Sequence, residues 1–242
     1  MFIRVVDDYP TLSRLAAEIL ARQIEAFPNS VLGLASGSTP VGLYRELARR
    51  QRDGLSFSRV TTFNLDEYLG LPRGHAQRFA SCMQRELFSH LDIDPEGVHF
   101  PDVDDVDGVA LDGACARYEE RIKQAGGLDV QILGVGANGH IAFNEPGSAW
   151  TSRTRIVELT ERTRRDNAAA FQGDEVPARA ITMGIGTILE ARQVILLASG
   201  KRKAEAVRRL IDGPESIAWP VTALRSHPNV LVLFDRAAAR HE

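Results

Sequence analysis

Cysteine is nearly absent: Cys82 and Cys115 are the two in 242 residues, and neither sits in a CxxC or metal-type spacing. That excludes a disulfide framework and a thiolate zinc site, and it leaves two reduced thiols. Long apolar runs are also missing. No stretch approaches the ~20 residues that cross a bilayer, and the opening MFIRVVDDYP is too poor in apolar residues for a secretory signal. The expectation is a cytoplasmic protein with no membrane contact. Nor does one sign of charge dominate. The formal net charge of −3 gives no electrostatic footprint for nucleic acid, while an acidic small-molecule substrate stays open, because a few residues set a local potential. Without a repeat, a low-complexity segment or a convincing linker, residues 1–242 read as one domain.

What the chain does have is 44% hydrophobic residues, arranged in two alternating patterns. Short, nearly continuous apolar runs at 30–35, 59–65, 128–136, 192–199 and 228–235 predict strands covered on both faces, as in a parallel sheet. Amphipathic stretches at 11–27, 40–51, 110–126 and 200–212 predict helices. Strand–helix alternation along the whole length predicts an α/β fold: a doubly wound, mostly parallel, Rossmann-like sheet with helices on both faces. In such sheets ligands bind beyond the carboxyl ends of the strands, so the segments leaving residues 35, 65, 135 and 199 are the ones to inspect.

All four are polar. After the first, ASGSTPVGLY offers the backbone N–H groups of Gly37, Ser38 and Thr39, hydroxyls from Ser36, Ser38 and Thr39, and a helix start at Pro40. This is either an anion site at a helix N-terminus or an ordinary capping turn; without G-K-[ST] it is not a Walker loop. After the second, TTFNLDEYLGL sets Asp66 and Glu67 directly behind an apolar strand. The pair reads as a helix cap, as half of a salt bridge, or as a general base whose burial raises its pKa toward the working pH. After the third, GVGANGHIAFNEPG combines Gly134, Gly136 and Gly139 with Asn138, His140, Asn144 and Glu145. Glycines let backbone approach a ligand, His140 titrates near neutrality, and Glu145 is placed to orient it. After the fourth, Lys201, Arg202 and Lys203 of ASGKRKAEAV open a helix, where cations oppose the macrodipole. A bound phosphate would offset that cost; a solvated basic turn is the other reading. Arg153, Arg155, Arg162, Arg164 and Arg165, interspersed with Glu158 and Glu161, read as a solvated face with local ion pairs.

The stretches LASGSTPVGLY, TTFNLDEYLGL, LGVGANGHIAFNEPGSAWTSRTRIVEL, TRRDN and ITMGIGTILEA…SGKRKAEAV, in that order along nearly the whole chain, resemble the glucosamine-6-phosphate deaminase (isomerising) family. GHIAFNEPG together with FNLDEY is highly specific to it. A weaker similarity links the GSTP loop to 6-phosphogluconolactonases. The resemblance implies an enzyme that converts glucosamine 6-phosphate and water to fructose 6-phosphate and ammonia, with no cofactor and no metal. It implies that Asp66 carries the proton from C2 to C1, and that His140 opens the pyranose ring with help from Glu145 and Asn138. The Ser36, Gly37, Ser38, Thr39 loop and Lys203 would hold the phosphate.

Three departures from the family pattern stand out. Some members carry Asp where this chain has Asn138, which orients but cannot accept a proton. Ala169 stands where members usually have a phosphate-binding Arg, with Arg164, Arg165 and Arg179 as the candidates to replace it. Arg155 and Ser148 match an effector site in allosterically activated members, yet Val157 replaces a Lys and the chain ends sooner, so activation by an acetylated sugar is not expected. A sugar-lactone hydrolase using His140 to activate water and a non-catalytic sugar-phosphate sensor are the competing readings. The oligomeric state, monomer or homo-oligomer, is open at this stage.

Overall fold

The computed structural model describes residues 1–104 and 108–239. In chain order its main elements are β1 (Phe2–Val6), α1 (Tyr9–Ala26), β2 (Val31–Leu34), α2 (Val41–Arg52), β3 (Thr61–Asn64), β4 (Asp66–Tyr68), α3 (Phe79–Glu86), β5 (Val98–His99) and α4 (Gly108–Gln124). There follow β6 (Val130–Gly134), β7 (Arg155–Glu158), α5 (Glu161–Ala168), β8 (Arg179–Thr182), α6 (Ile185–Leu189), β9 (Gln193–Ala198), α7 (Ala204–Asp212), β10 (Val230–Asp235) and α8 (Arg236–Ala239). No helix among the described residues is long and apolar enough to cross a membrane.

Seven strands pair in the order β1-β10-β9-β6-β2-β3-β5, every pair parallel. Alternate side chains leave opposite faces of a strand, and the buried residues divide accordingly. Val194, Leu196 and Ala198 of β9 and Val230, Val232 and Phe234 of β10 pack with α4, α6 and α7. Ile195, Leu197 and Leu233 pack on the other face with Leu12, Ala16 and Leu20 of α1 and Leu43, Tyr44 and Leu47 of α2. The five apolar runs thus became strands because both of their faces are covered, and the expected doubly wound α/β sheet is present.

Three features differ from expectation. β1 was not among the predicted strands; it lies at the sheet edge with Phe2, Ile3 and Val5 exposed, so it lacks the apolar density of a central strand. The second difference is a separate antiparallel sheet, β4-β8-β7, with Asp66 opposite Thr182 and Arg155 opposite the same Thr182. The acidic DEY triplet is a poor strand by composition. It pairs because Tyr68 enters an aromatic cluster with Phe79, Phe143 and Phe171. The helix expected at 200–212 also starts later: Lys201–Lys203 form a 3-10 turn and α7 begins at Ala204.

Candidate active site

Strand order reverses between β2 and β6: the chain moves outward one way through β3 and β5, and the other way through β9 and β10. Ligands of doubly wound sheets bind at such a switch point. The C-terminal ends of β9, β6, β2 and β3 are neighbours there, and a cleft of about 180 Å³ opens above them. Ser36, Gly37, Ser38 and Thr39 line it, together with Asp66, Gly136, His140 and Lys203. Four segments separated along the chain therefore meet in one hollow, as the spacing of strand ends predicts. Asn138 and Glu145 stand just behind this first layer.

Asp66 and Glu67 are adjacent acids with opposite fates. Both are buried, at 5% and 0% exposure, and each points to its own side of β4. Glu67 accepts hydrogen bonds from the backbone N–H groups of Tyr68, Phe79 and Ala80 at 2.8–2.9 Å and so caps the start of α3. Arg78 lies 3.7 Å away. Burial still raises its pKa, but these four partners counter the rise. Asp66 accepts no side-chain hydrogen bond among the described residues. Burial, reinforced by the charge of Glu67, pushes its pKa up to about 8. Of the three readings of the acidic pair, the helix cap and the ion-pair contact belong to Glu67, and Asp66 is the carboxyl with the raised pKa.

The loop after β6 holds His140 by steric and polar constraints. Gly136 donates its N–H to the His140 carbonyl at 2.9 Å. A Cβ on Gly136 would lie 2.2 Å from the imidazole ring, so glycine is required by contact rather than by dihedral angle. Gly139 has φ +82°, and a Cβ there would meet the Trp219 ring at 2.7 Å. Burial lowers the pKa of His140, with Glu145 acting in the opposite sense and Lys203 reinforcing the fall, so the ring is neutral at pH 7–8. Its Nδ1 lies 3.9 Å from Glu145 Oε2, an electrostatic contact rather than a hydrogen bond. Asn138 donates to the same Oε2 at 2.8 Å and accepts the His140 N–H at 3.2 Å. It therefore fixes the carboxylate and the loop rather than the ring itself. Asn144 is structural: buried, it donates to the carbonyls of Ile141 and Met183 and accepts from Arg155.

At the serine-turn end of the cleft, Gly37 has φ +106° and Ser36 Oγ is buried with no hydrogen-bond partner among the described residues. The 12-residue α2 starts immediately behind this turn. Lys203 faces the turn from β9, its pKa lowered by burial and then by Arg202. Arg164 is occupied by Glu175 and the Val176 carbonyl, and Arg164, Arg165 and Arg179 do not line the cleft. None takes the place of the family arginine at Ala169, which instead lines an adjoining chamber. The arginine-rich stretch is partly the ion-paired face expected, since Arg153 binds Glu119 and Glu190. Arg155 differs, with neutral partners in Asn144 and Ser148.

The sequence model of the family described as glucosamine-6-phosphate isomerases/6-phosphogluconolactonase matches residues 9–233. The chain belongs to this family. Within the glucosamine-6-phosphate isomerase/6-phosphogluconolactonase family, it is 46% identical to the glucosamine-6-phosphate deaminase of Alkaliphilus oremlandii, over 99% of both chains. It is 48% identical to glucosamine-6-phosphate deaminase 2 of Bacillus subtilis, over 99% of this chain and 97% of that one. A solved structure of a monomeric glucosamine-6-phosphate deaminase superposes with a TM-score of 0.95 at 46% identity, over 99% of both chains. The 6-phosphogluconolactonase of Trypanosoma cruzi superposes at 0.81 with 23% identity, over 98% and 95% of the two chains; this is a likeness of fold.

Sequence reasoning missed several residues that support the site. Tyr9 of α1 donates toward the carbonyls of Ser38 and Thr39 and accepts the Gly42 N–H at 2.7 Å, clamping the serine turn from a distant helix. Asp235 accepts from Ser199 Oγ at 2.5 Å and the Gly200 N–H at 3.1 Å, fixing the turn that leads to Lys203. Thr160 and Thr163, in the first turn of α5, both donate to Glu145 Oε1. Thr160 is the N-cap of α5, and its carboxylate partner lies 15 residues earlier in the chain, out of reach of local sequence reasoning. Thr163→Val keeps the shape but removes a buried donor to Glu145. The expected result is a fall in kcat of about 10-fold with a smaller change in KM, and a loss of roughly 1–2 kcal/mol in denaturant unfolding.

Proposed function

We propose that this family member is a glucosamine-6-phosphate deaminase, and that Asp66, His140 and Glu145 carry its chemistry in a cytoplasmic amino-sugar catabolic enzyme whose residues 1–242 act as one catalytic domain. One observation carries the assignment of roles: Asp66, buried and with no side-chain hydrogen bond among the described residues, shares a cleft with a neutral His140 and with the Ser36–Thr39 turn. The 46–48% identity to curated deaminases over almost the full chain supports the deaminase over the lactonase reading.

The substrate binds with its phosphate against the backbone N–H groups of Gly37, Ser38 and Thr39, the free Ser36 hydroxyl and the Lys203 ammonium. This tether places the sugar carbons between Asp66 and His140 and reduces the entropic part of the barrier. Neutral His140 takes the proton of the anomeric hydroxyl and returns one to the ring oxygen, which opens the pyranose to an aldehyde. Glu145, held by Asn138, Thr160 and Thr163, steadies the imidazolium formed in passing. The aldehyde makes the C2 proton acidic; the Asp66 carboxylate removes it and delivers it to C1. O1 gains a proton as the amine nitrogen gives one up, so the double bond then lies between C2 and nitrogen; water adds to the imine carbon, and the C–N bond breaks to release ammonia and fructose 6-phosphate.

The decisive assay follows ammonia and fructose 6-phosphate together from millimolar glucosamine 6-phosphate, with deuterium incorporation at C1 in heavy water as the signature of proton transfer. Equimolar products are expected. A folded protein that yields neither product, or that hydrolyses 6-phosphogluconolactone instead, refutes the proposal.

A further inference from the structure

The electrostatics on the phosphate side of the cleft are unusual. A chamber of about 380 Å³ adjoins the cleft and shares Ser36, Gly37, Ser38, Phe79 and Asn167 with it. Asp166 lines that chamber, one residue from Asn167. Its carboxylate makes no hydrogen bond and no ion pair within 4 Å among the described residues, so its charge is not neutralised locally. Nor does Lys203 have a carboxylate within that distance. The negative charge of Asp166 is nevertheless felt by both Lys203 and His140, in each case favouring the protonated form. Ala169 and Ala170, on the same wall, contribute no donor. The end of the cleft formed by the serine turn and Lys203 thus combines one lysine, a helix start and a set of N–H and O–H groups with an exposed acid, unpaired among the described residues, on the wall of the adjoining chamber, where the one arginine, Arg85, is paired with Glu86.

We propose that Asp166 is a specificity-determining residue that opposes the phosphate end of the substrate, weakening the grip of Lys203 and the Ser36–Thr39 turn on a dianion. The penalty scales with the charge of the ligand. A phosphate dianion therefore loses more than a monoanionic or neutral C6 substituent, and the site is shifted toward amino sugars with less negative charge at C6. The inference rests on the amino-sugar reading of the cleft, but its central measurement does not require turnover.

The test uses the whole chain, with inorganic phosphate as the probe, titrated by calorimetry at low and high ionic strength. Asp166→Asn removes the charge at nearly constant volume, and Ala169→Arg, which adds a cation to the same chamber, serves as a positive control. For charges several Å apart at a protein surface, Asp166→Asn is expected to tighten phosphate about 3- to 10-fold, with the gain shrinking at 0.5 M salt. In kinetics, KM for glucosamine 6-phosphate falls by a similar factor, while KM for unphosphorylated glucosamine does not. Unchanged phosphate affinity in Asp166→Asn overturns the proposal, whether or not Ala169→Arg tightens binding. Equal gains for both sugars overturn it too. Absence of ammonia release from either sugar refutes the deaminase reading, and the phosphate titration still decides the role of Asp166.

Discussion

Asp66→Asn is expected to lower ammonia release by about 10²–10⁴-fold, the usual contribution of a positioned general base, and at the same time to make the protein more stable at pH 8. Both effects come from the same burial. The wild-type carboxyl has a folded-state pKa of about 8 against an ordinary 3.8. Below pH 4 the acid is neutral in folded and unfolded chains alike and costs nothing. As pH rises from 4 to 8, the unfolded chain ionises while the folded one resists, so stability is lost across that window. The loss reaches about 5–6 kcal/mol above pH 8. An amide cannot ionise, and after about 1–3 kcal/mol for its own unpartnered burial, a net gain of roughly 2–5 kcal/mol remains. At 2–4 °C per kcal/mol for a chain of this size, Tm should rise by about 4–20 °C at pH 8 and should not rise at pH 4, where only the cost of burying the amide is left. The corresponding kinetic signature is a kcat/KM of the wild type that climbs nearly tenfold per unit below pH 8 and then levels, because the base must be ionised to act. Burial shifts the titration of His140 below its ordinary value, to the acid side of the limb set by Asp66. A Tm difference independent of pH, or an acidic limb centred near 4, rejects this account of Asp66.

Gly136→Ala is the second large effect expected. The added methyl would lie 2.2–2.4 Å from Cε1, Nδ1 and Nε2 of His140, distances that no side chain tolerates, so the ring must leave its position. A displacement of about 1 Å at a reacting group costs on the order of 100-fold in rate, and overpacking of this kind costs about 1–3 kcal/mol in stability. The double variant Gly136→Ala/His140→Ala separates these consequences. Removing the ring relieves the clash, so unfolding free energy should recover toward that of His140→Ala alone while activity stays lost. If the double variant is as unstable as the sum of the two single ones, the clash is not with the imidazole and the steric explanation falls.

The parts of the fold that were legible in the sequence are those decided locally. The runs at 192–199 and 228–235 read as buried strands because nearly every residue is apolar, and the ends of β9, β6, β2 and β3 marked the cleft because only there do small, polar and charged residues interrupt such runs. Gly136, His140 and Lys203 could be nominated because they follow predicted strand ends and match the family's motifs. What stayed hidden depends on distant partners. Tyr9 belongs to α1 and gives no local hint that its hydroxyl holds the turn at Ser38. Thr163 gives no sign in the sequence that, behind the N-cap Thr160, its hydroxyl binds Glu145. The antiparallel sheet escaped notice because aromatic packing around Tyr68 overrides the poor strand propensity of its two acids. The division of labour between Asp66 and Glu67 likewise emerges only once α3 brings the Phe79 and Ala80 N–H groups to one of them.

That division has a consequence for how the molecule tolerates change. Neighbouring positions on a strand face opposite ways, so the alignment of β4 on β8, with Asp66 across from Thr182, decides which of two acids lines the cleft. Sliding this short ribbon by one position would hand the chemistry to the longer side chain and leave the helix behind it uncapped. Composition would be untouched by such a slip; parity alone would be broken.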